Sequence, residues 1–291
     1  MSSLMMHVTA LVVRTAYQRR MRTAQRVRQW MDAPKRPAAP PSRLRRRHTV
    51  TSRRLGGFTT WSIVPKRPRA GKAVLYVHGG GYYLPIQSAH WNLISALADS
   101  GVRVEVPLYP LAPEYTAKDA YPFLTRVYEE LVSETGDPSR ITLMGDSAGG
   151  GLALGLAQVA AAGRMRPGRI ILISPWLDLT LSDPAIAELG AKDPWLAQEG
   201  LIAAGHTWAG HWDPAEARLS PLNGPLADLP PTHLYIGDRD IFWADAHSLA
   251  RAARGAGRDI DLVEMPGGVH VYPLTPTPEG CAARAAIIQQ I

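Results

Sequence analysis

From residue 73 onward, short apolar runs alternate with longer segments whose apolar positions recur every three to four residues. The runs 73–77, 102–106, 140–144, 169–173, 233–236 and 261–264 predict strands. The segments 90–99, 119–135, 148–162, 245–254 and 278–290 predict helices. Near-continuous apolar strands separated by helices imply a mostly parallel sheet covered on both faces. Two earlier stretches, 48–53 and 58–64, flank Gly56-Gly57 and predict a hairpin that pairs antiparallel at one edge. The expected architecture is α/β, with a mostly parallel eight-stranded sheet flanked by helices.

Two regions break this rhythm. Residues 178–231 contain no recognisable strand, yet lie between two strands expected to be neighbours, and carry Trp195, Trp208 and Trp212. An insertion after a strand's C-terminal end sits over the ligand crevice of an open sheet. Residues 4–31 predict one helix, with Leu4, Val8, Leu11, Val12, Tyr17, Met21, Ala24, Val27 and Met31 as its buried stripe and arginines on the other faces. Pro34, Pro37, Pro40 and Pro41 then form a stiff linker. The expected organisation is therefore a basic helix and linker at 1–45 and a catalytic domain at 46–291. The insertion at 178–231 and the N-terminal helix together form a helical cap.

Composition adds a charge asymmetry. The 291-residue chain is 46% apolar, enough for a sizeable core. Residues 1–72 hold 18 of its 32 Lys and Arg but one acid, Asp32, so residues 73–291 carry 14 basic and 24 acidic residues. The arm can lie on its own acidic body or meet an anionic surface. The best apolar run near the start, 8–13, is far short of the roughly 20 residues a spanning helix needs. No basic n-region and small-residue cleavage site frame it, so a cytoplasmic protein, with peripheral membrane contact as a further reading, is the expectation. The single cysteine, Cys281, rules out an intramolecular disulfide.

The chemistry concentrates at the C-terminal ends of the predicted strands. Gly145-Asp146-Ser147-Ala148-Gly149 follows one strand and opens a helix, the strand–turn–helix context of a nucleophile elbow. His78-Gly79-Gly80-Gly81 follows another strand, and its flexible backbone can aim N–H groups at a developing oxyanion together with the N–H of Ala148. Asp240 and His270 each follow a later strand, in the order acid then histidine. A serine, a histidine and an acid on loops at one sheet edge are what acyl transfer through a serine needs. Ser147 is the expected nucleophile, His270 the general base and Asp240 the residue that orients it. Asp238 and Asp245 compete with Asp240 for that place.

These motifs resemble the hormone-sensitive-lipase family of α/β-hydrolases over roughly residues 70–290. His78–Gly81 is similar to its HGGG segment, Gly145–Gly150 to GDSAGG, Leu111-Ala112-Pro113-Glu114 to the end of YRLAPE, and Asp240 and His270 to its acid and histidine. The resemblance implies a carboxylesterase acting on short- to medium-chain acyl esters or lipid esters. It also implies an oxyanion hole of Gly80, Gly81 and Ala148, and a helical cap. The chain departs from the family at Tyr109-Pro110, where Tyr-Arg is usual, so a cation near Glu114 is missing.

Other residues change the picture less. Tyr82 and Tyr83, after the glycine loop, and Trp176 and Asp178, after a strand, can wall the substrate pocket or simply pack. His206 and His211 lack the spacing of a zinc site, and no nucleotide fingerprint occurs, so neither metal nor cofactor is expected. The arm lacks the aromatic interleaving that favours nucleic acid, so the expected partner is a small-molecule ester, with an anionic membrane as a peripheral contact of the arm. Cleavage of an amide by the same triad remains open, as does a non-catalytic ligand-binding protein on this fold, and the oligomeric state is not legible.

Overall fold

A computed structural model of the chain describes residues 2–69 and 71–291. Its strands are β1 (His48–Leu55), β2 (Phe58–Pro65), β3 (Ala73–Val77), β4 (Arg103–Leu108), β5 (Ile141–Asp146), β6 (Arg169–Ile173), β7 (Thr232–Gly237) and β8 (Ile260–Met265). They form one eight-stranded sheet in the order β1-β2-β4-β3-β5-β6-β7-β8. β2 runs antiparallel to both β1 and β4, and β4 to β8 with β3 are parallel. The mostly parallel sheet and its antiparallel leading hairpin match the pattern read from the sequence.

The unbroken apolar strands follow from burial on both faces. On β3, Leu75 and Val77 belong to the core on one side of the sheet and Val74 and Tyr76 to the core on the other. Successive side chains of a strand point to opposite faces, so a strand covered twice has no polar position to spare.

The covering helices are α3 (Ser88–Asp99), α4 (Ala117–Thr135), α5 (Ser147–Ala162), α8 (Trp243–Gly255) and α9 (Pro278–Gln289). They are preceded in the arm by α1 (Leu4–Val13) and α2 (Ala24–Met31), and joined in the insertion by α6 (Ile186–Lys192) and α7 (Gln198–Ala209). Residues 178–231 contain no strand.

The N-terminal arm differs from the single amphipathic helix read from its periodicity. α1 passes through a π-helical stretch, Arg14–Gln18, and a short turn, Arg19–Met21, before the chain breaks at Arg22-Thr23. Thr23 then caps α2, its hydroxyl accepting the Arg26 N–H at 3.3 Å. The buried stripe is also different. Met6, Ala10 and Val13 face the body, whereas Leu4, Met5, Val8, Leu11 and Val12 are 51–81% exposed. The reason is compositional: the segment LMMHVTALVV is apolar on nearly every side, so periodicity cannot select which side is buried.

Arg14, Arg19, Arg20, Arg22, Arg26 and Arg28 make no ion pair among the described residues, so this part of the arm is not neutralised by the acidic body. A short helix, Ser42–Arg47, follows the proline linker and is held by the buried Leu44. No helix of the described residues is long and apolar enough to cross a membrane.

Candidate active site

The parallel strands deliver their loops to one edge of the sheet, and four of those loops meet there. β5 runs directly into α5 through Ser147, which is held at φ +52°. A side chain in the left-handed region is strained, and the strain persists because the surroundings leave no alternative. A Cβ on Gly149 would lie 2.1 Å from the Val77 carbonyl oxygen, and one on Gly145 2.2 Å from that of Gly149. The elbow therefore needs glycine on both sides for α5 to approach β3 and β5 so closely.

Ser147, His270 and Asp240 come together across 123 residues of chain. His270 Nε2 lies 2.9 Å from Ser147 Oγ, and His270 Nδ1 lies 2.8 Å from Asp240 Oδ2. The other Asp240 oxygen accepts the Phe242 N–H at 3.0 Å, which fixes the carboxylate plane. Asp240 is fully buried, and His270 and Ser147 are 3% and 8% exposed, so the relay is closed off from bulk water. Burial alone would lower the His270 pKa, but the carboxylates of Asp240, Asp193 and Asp146 outweigh it and hold the imidazole above its ordinary value. The histidine loop is fixed from below: Val271, at φ +48°, donates its N–H to Ser174 Oγ at 2.9 Å.

Gly80 and Gly81 stand at φ +125° and +59°, directly after Gly79, on which a Cβ would lie 3.0 Å from Ser147 Cβ. Among the described residues their N–H groups donate to no backbone carbonyl. Ala148 lies in the first turn of α5, where N–H groups have no partner within the helix. The Ala148 N–H lies at the positive end of the α5 dipole. The rivals of Asp240 are placed elsewhere. Asp238 accepts the Gly267 N–H at 2.7 Å, and Asp245 is buried in the first turn of α8.

Tyr82, Tyr83 and Trp176 are buried in an aromatic wall behind the glycine loop. Tyr82 stacks on Trp208 at 4.7 Å and tilts against Trp176, whose other face packs on Phe242. Tyr83 reaches the arm, its hydroxyl 3.2 Å from Met21 Sδ. Asp178 accepts hydrogen bonds from Thr180 and Ser182, and so folds the start of the insertion rather than facing the serine.

Several residues take roles that their motifs and positions do not spell out. Asp146, next to the nucleophile in the elbow, accepts the Tyr76 hydroxyl at 2.6 Å and the Gly79 N–H at 3.0 Å on one oxygen, with His90 Nε2 3.3 Å from the other. It thereby staples the glycine loop to the elbow. Burial opposes its charge, yet His90, Tyr76 and Gly79 together hold its pKa below the ordinary value. Burial also pushes the nearby His78 down to about 4, so it is neutral, and its carbonyl accepts the Tyr109 hydroxyl at 3.0 Å. Lys35 of the arm pairs with Glu114 and supplies the cation that Pro110 does not.

The arm and the insertion lie together over this edge. The Met21 carbonyl oxygen would lie 2.2 Å from a Cβ on Gly200 of α7. Tyr17 packs against Trp195 at 5.3 Å, and Trp195 meets His270 in a T-shaped pair at 5.9 Å. No cluster of His, Cys, Asp or Glu suited to a metal ion occurs among the described residues.

Comparison with known proteins places the fold. A family model described as the alpha/beta hydrolase fold matches residues 74–274. An acetyl-hydrolase of Streptomyces hygroscopicus is 33% identical over 220 residues, covering 75% of this chain and 73% of that protein. A triacylglycerol lipase of Mycobacterium tuberculosis is 32% identical over 246 residues, 84% of this chain, although the chain spans only 51% of that protein's length. The crystal structure of an esterase from the bacterial hormone-sensitive lipase family superposes with a TM-score of 0.81 at 27% identity, covering 99% of this chain and 98% of that one. With a matching family model over most of its length and relatives of this kind, the chain belongs to the hormone-sensitive-lipase family of α/β-hydrolase fold esterases.

Proposed function

We propose that this chain is a serine carboxylesterase that hydrolyses short- to medium-chain acyl esters or lipid esters through an acyl-Ser147 intermediate. The observation that carries this reading is the continuous relay from Ser147 Oγ to His270 at 2.9 Å and on to Asp240 at 2.8 Å. The names of relatives, an acetyl-hydrolase and a triacylglycerol lipase, support an acyl ester as substrate.

His270 Nε2 takes the Ser147 proton as Oγ attacks the ester carbonyl carbon. The carbonyl oxygen becomes an oxyanion facing the N–H groups of Gly80, Gly81 and Ala148. Each such donor contributes on the order of 10²- to 10³-fold in kcat. Collapse of the tetrahedral species breaks the bond to the alkoxy oxygen, which leaves as an alcohol with the proton from His270. Water then gives a proton to His270 and attacks the acyl-enzyme, releasing the carboxylic acid and restoring the Ser147 hydroxyl. Asp240 holds the imidazole in the tautomer with its proton on Nδ1 and stabilises the cation that forms.

In this reading residues 1–45 and 178–231 act as a cap on the catalytic domain, with Tyr82, Tyr83 and Trp176 shaping the wall of the acyl site. The outward face of α1 is the peripheral contact with an anionic membrane. Exposed Leu4, Met5, Val8, Leu11 and Val12 beside arginines without carboxylate partners suit an interfacial helix.

The test is a p-nitrophenyl ester chain-length series on the chain and on Ser147→Ala, with phosphonate labelling in parallel. Hydrolysis of short and medium chains that vanishes together with labelling in Ser147→Ala is the expected result. Undiminished labelling of Ser147→Ala would end the reading.

A further inference from the structure

Asp193 is a buried carboxylate that the reaction above does not use. It follows α6 in the insertion and is fully buried. Its Oδ1 accepts the N–H groups of Trp195 at 2.7 Å and Leu196 at 3.0 Å, which closes its own turn. Its Oδ2 leaves that turn and accepts the Ile241 N–H at 2.9 Å. Ile241 is the residue after Asp240, and the next N–H, that of Phe242, goes to Asp240 itself at 3.0 Å. Two successive N–H groups of one turn are thus shared between two carboxylates, one from the cap and one from the triad.

The arm joins the same point. Gln18 is 8% exposed, and its Nε2 donates to the Asp193 carbonyl oxygen at 2.6 Å. Two residues further on, Trp195 packs against both His270 and Tyr17. The contacts run from arm to insertion to catalytic acid without a gap.

We propose that Asp193 is a positioning residue for the triad: by holding the Ile241 N–H it fixes the turn that aims Asp240 at His270, and so makes the cap part of the catalytic geometry. The inference rests on the esterase reading of Ser147, His270 and Asp240. Asp193 has two effects, one of which is mechanical. An Asp240 carboxylate free to tilt loses either His270 or Phe242, and misplacement of a catalytic group by about 1 Å costs on the order of 10²-fold in rate. The other effect is electrostatic. The charged groups facing His270 are Asp240 on the loop after β7, Asp193 from the insertion and Asp146 at the elbow, and each favours the imidazolium. Burial and the neighbouring Asp240 push the Asp193 carboxyl well above the usual carboxylate range.

Asp193→Asn tests this on the full chain, with a small soluble ester and with Ser147→Ala alongside. The expected result is a fall in kcat on the order of 10- to 100-fold with KM nearly unchanged. The acid limb of kcat/KM should also move to lower pH, by less than a fully ionised neighbour would give, because Asp193, pushed up to about 7, is itself partly protonated in that range. Asp193→Glu should restore the limb more fully than kcat, since it keeps the charge but not the reach. An Asp193→Asn chain with unchanged kcat and limb overturns the proposal, even if it melts earlier, because a merely structural carboxylate would act only on stability. If that variant does not fold, Gln18→Ala, which frees the Asp193 peptide and keeps its carboxylate, must lower kcat at constant KM, and an equal kcat overturns the proposal. Retained hydrolysis in Ser147→Ala would instead strike the esterase reading, so the two failures are distinguishable.

Discussion

Asp238 and Asp240 stand two positions apart on one loop and hold different partners on another. Asp240 Oδ2 lies 2.8 Å from His270 Nδ1, while Asp238 Oδ1 accepts the Gly267 N–H at 2.7 Å, three residues before that histidine. One carboxylate meets the imidazole and the other meets the backbone that carries it. Asp240→Asn should therefore lower kcat by about 10⁴, the cost of an amide in this place in a well-studied triad. Asp238→Asn should cost about tenfold or less, because an amide oxygen can still accept from Gly267. Steady-state kinetics of the two variants decide the matter, and a reversed ranking would move the catalytic acid to Asp238.

The pH dependence follows from His270. Its pKa is raised because Asp240, Asp193 and Asp146 outweigh the effect of burial. The reaction needs the neutral imidazole, so activity is lost as pH falls through the raised value. The midpoint of the acid limb of kcat/KM should lie above about 6.5, the ordinary histidine value. A midpoint at or below that value would mean that these carboxylates do not outweigh the burial of the imidazole.

Asp245 gives a prediction on stability. Its side chain is 1% exposed, and one carboxylate oxygen has no hydrogen-bond partner among the described residues. Burial, with Asp178, Asp183 and Asp240 nearby, pushes its pKa to about 8. The folded chain therefore binds a proton that the unfolded chain releases near pH 4. Stability is lost as pH rises between those values and levels off above about 8. Asp245→Asn removes the titration, so its stabilising effect should be small near pH 4 and grow by several kcal/mol, up to about 5, near pH 8. Equal melting shifts at both ends would exclude the linkage.

How much of this was legible in the sequence depends on what each feature rests on. The eight strands, the hairpin at Gly56-Gly57 and the loops carrying Ser147, Asp240 and His270 follow from local patterns, because burial on both faces forces continuous apolar runs and each motif sits where a strand ends. Asp193 and Gln18 were invisible, since one acid among the chain's 25 acquires meaning only through a contact 48 residues away with Ile241. Lys35 gives no local signal for the same reason: Glu114 stands 79 positions along the chain. The orientation of α1 failed for a different cause. A helix apolar on most sides offers several stripes, and tertiary packing chose Met6, Ala10 and Val13.

That choice leaves α1 with two faces of different consequence. Its inner face is fixed to the body: Met6 is fully buried, and Ser3 Oγ donates to Glu279 of α9 at 2.9 Å. Further along the arm, Gln18, Met21 and Val27 are buried against the insertion. Its outer face carries Leu4, Val8 and Leu11 into solvent, and Arg14, Arg19 and Arg20 follow. Lipid contact would bury that face and gain about 1 kcal/mol for each basic residue near an anionic surface, weakening with salt. The two faces can be separated by substitution. A Leu4→Ser, Val8→Ser, Leu11→Ser chain should keep its hydrolysis of soluble esters, because exposed positions change stability by no more than about 0.5 kcal/mol each. It should no longer sediment with vesicles rich in anionic phospholipid, whereas the unsubstituted chain should do so at low salt. Met6→Ala should instead cost about 2–5 kcal/mol of stability. Deleting residues 1–31 should combine both outcomes, with lower activity and an altered chain-length preference even on soluble esters, because Asp193 loses Gln18 and Trp195 loses Tyr17. A truncated chain that hydrolyses soluble esters like the intact one would show that the arm serves the membrane alone and takes no part in the cap.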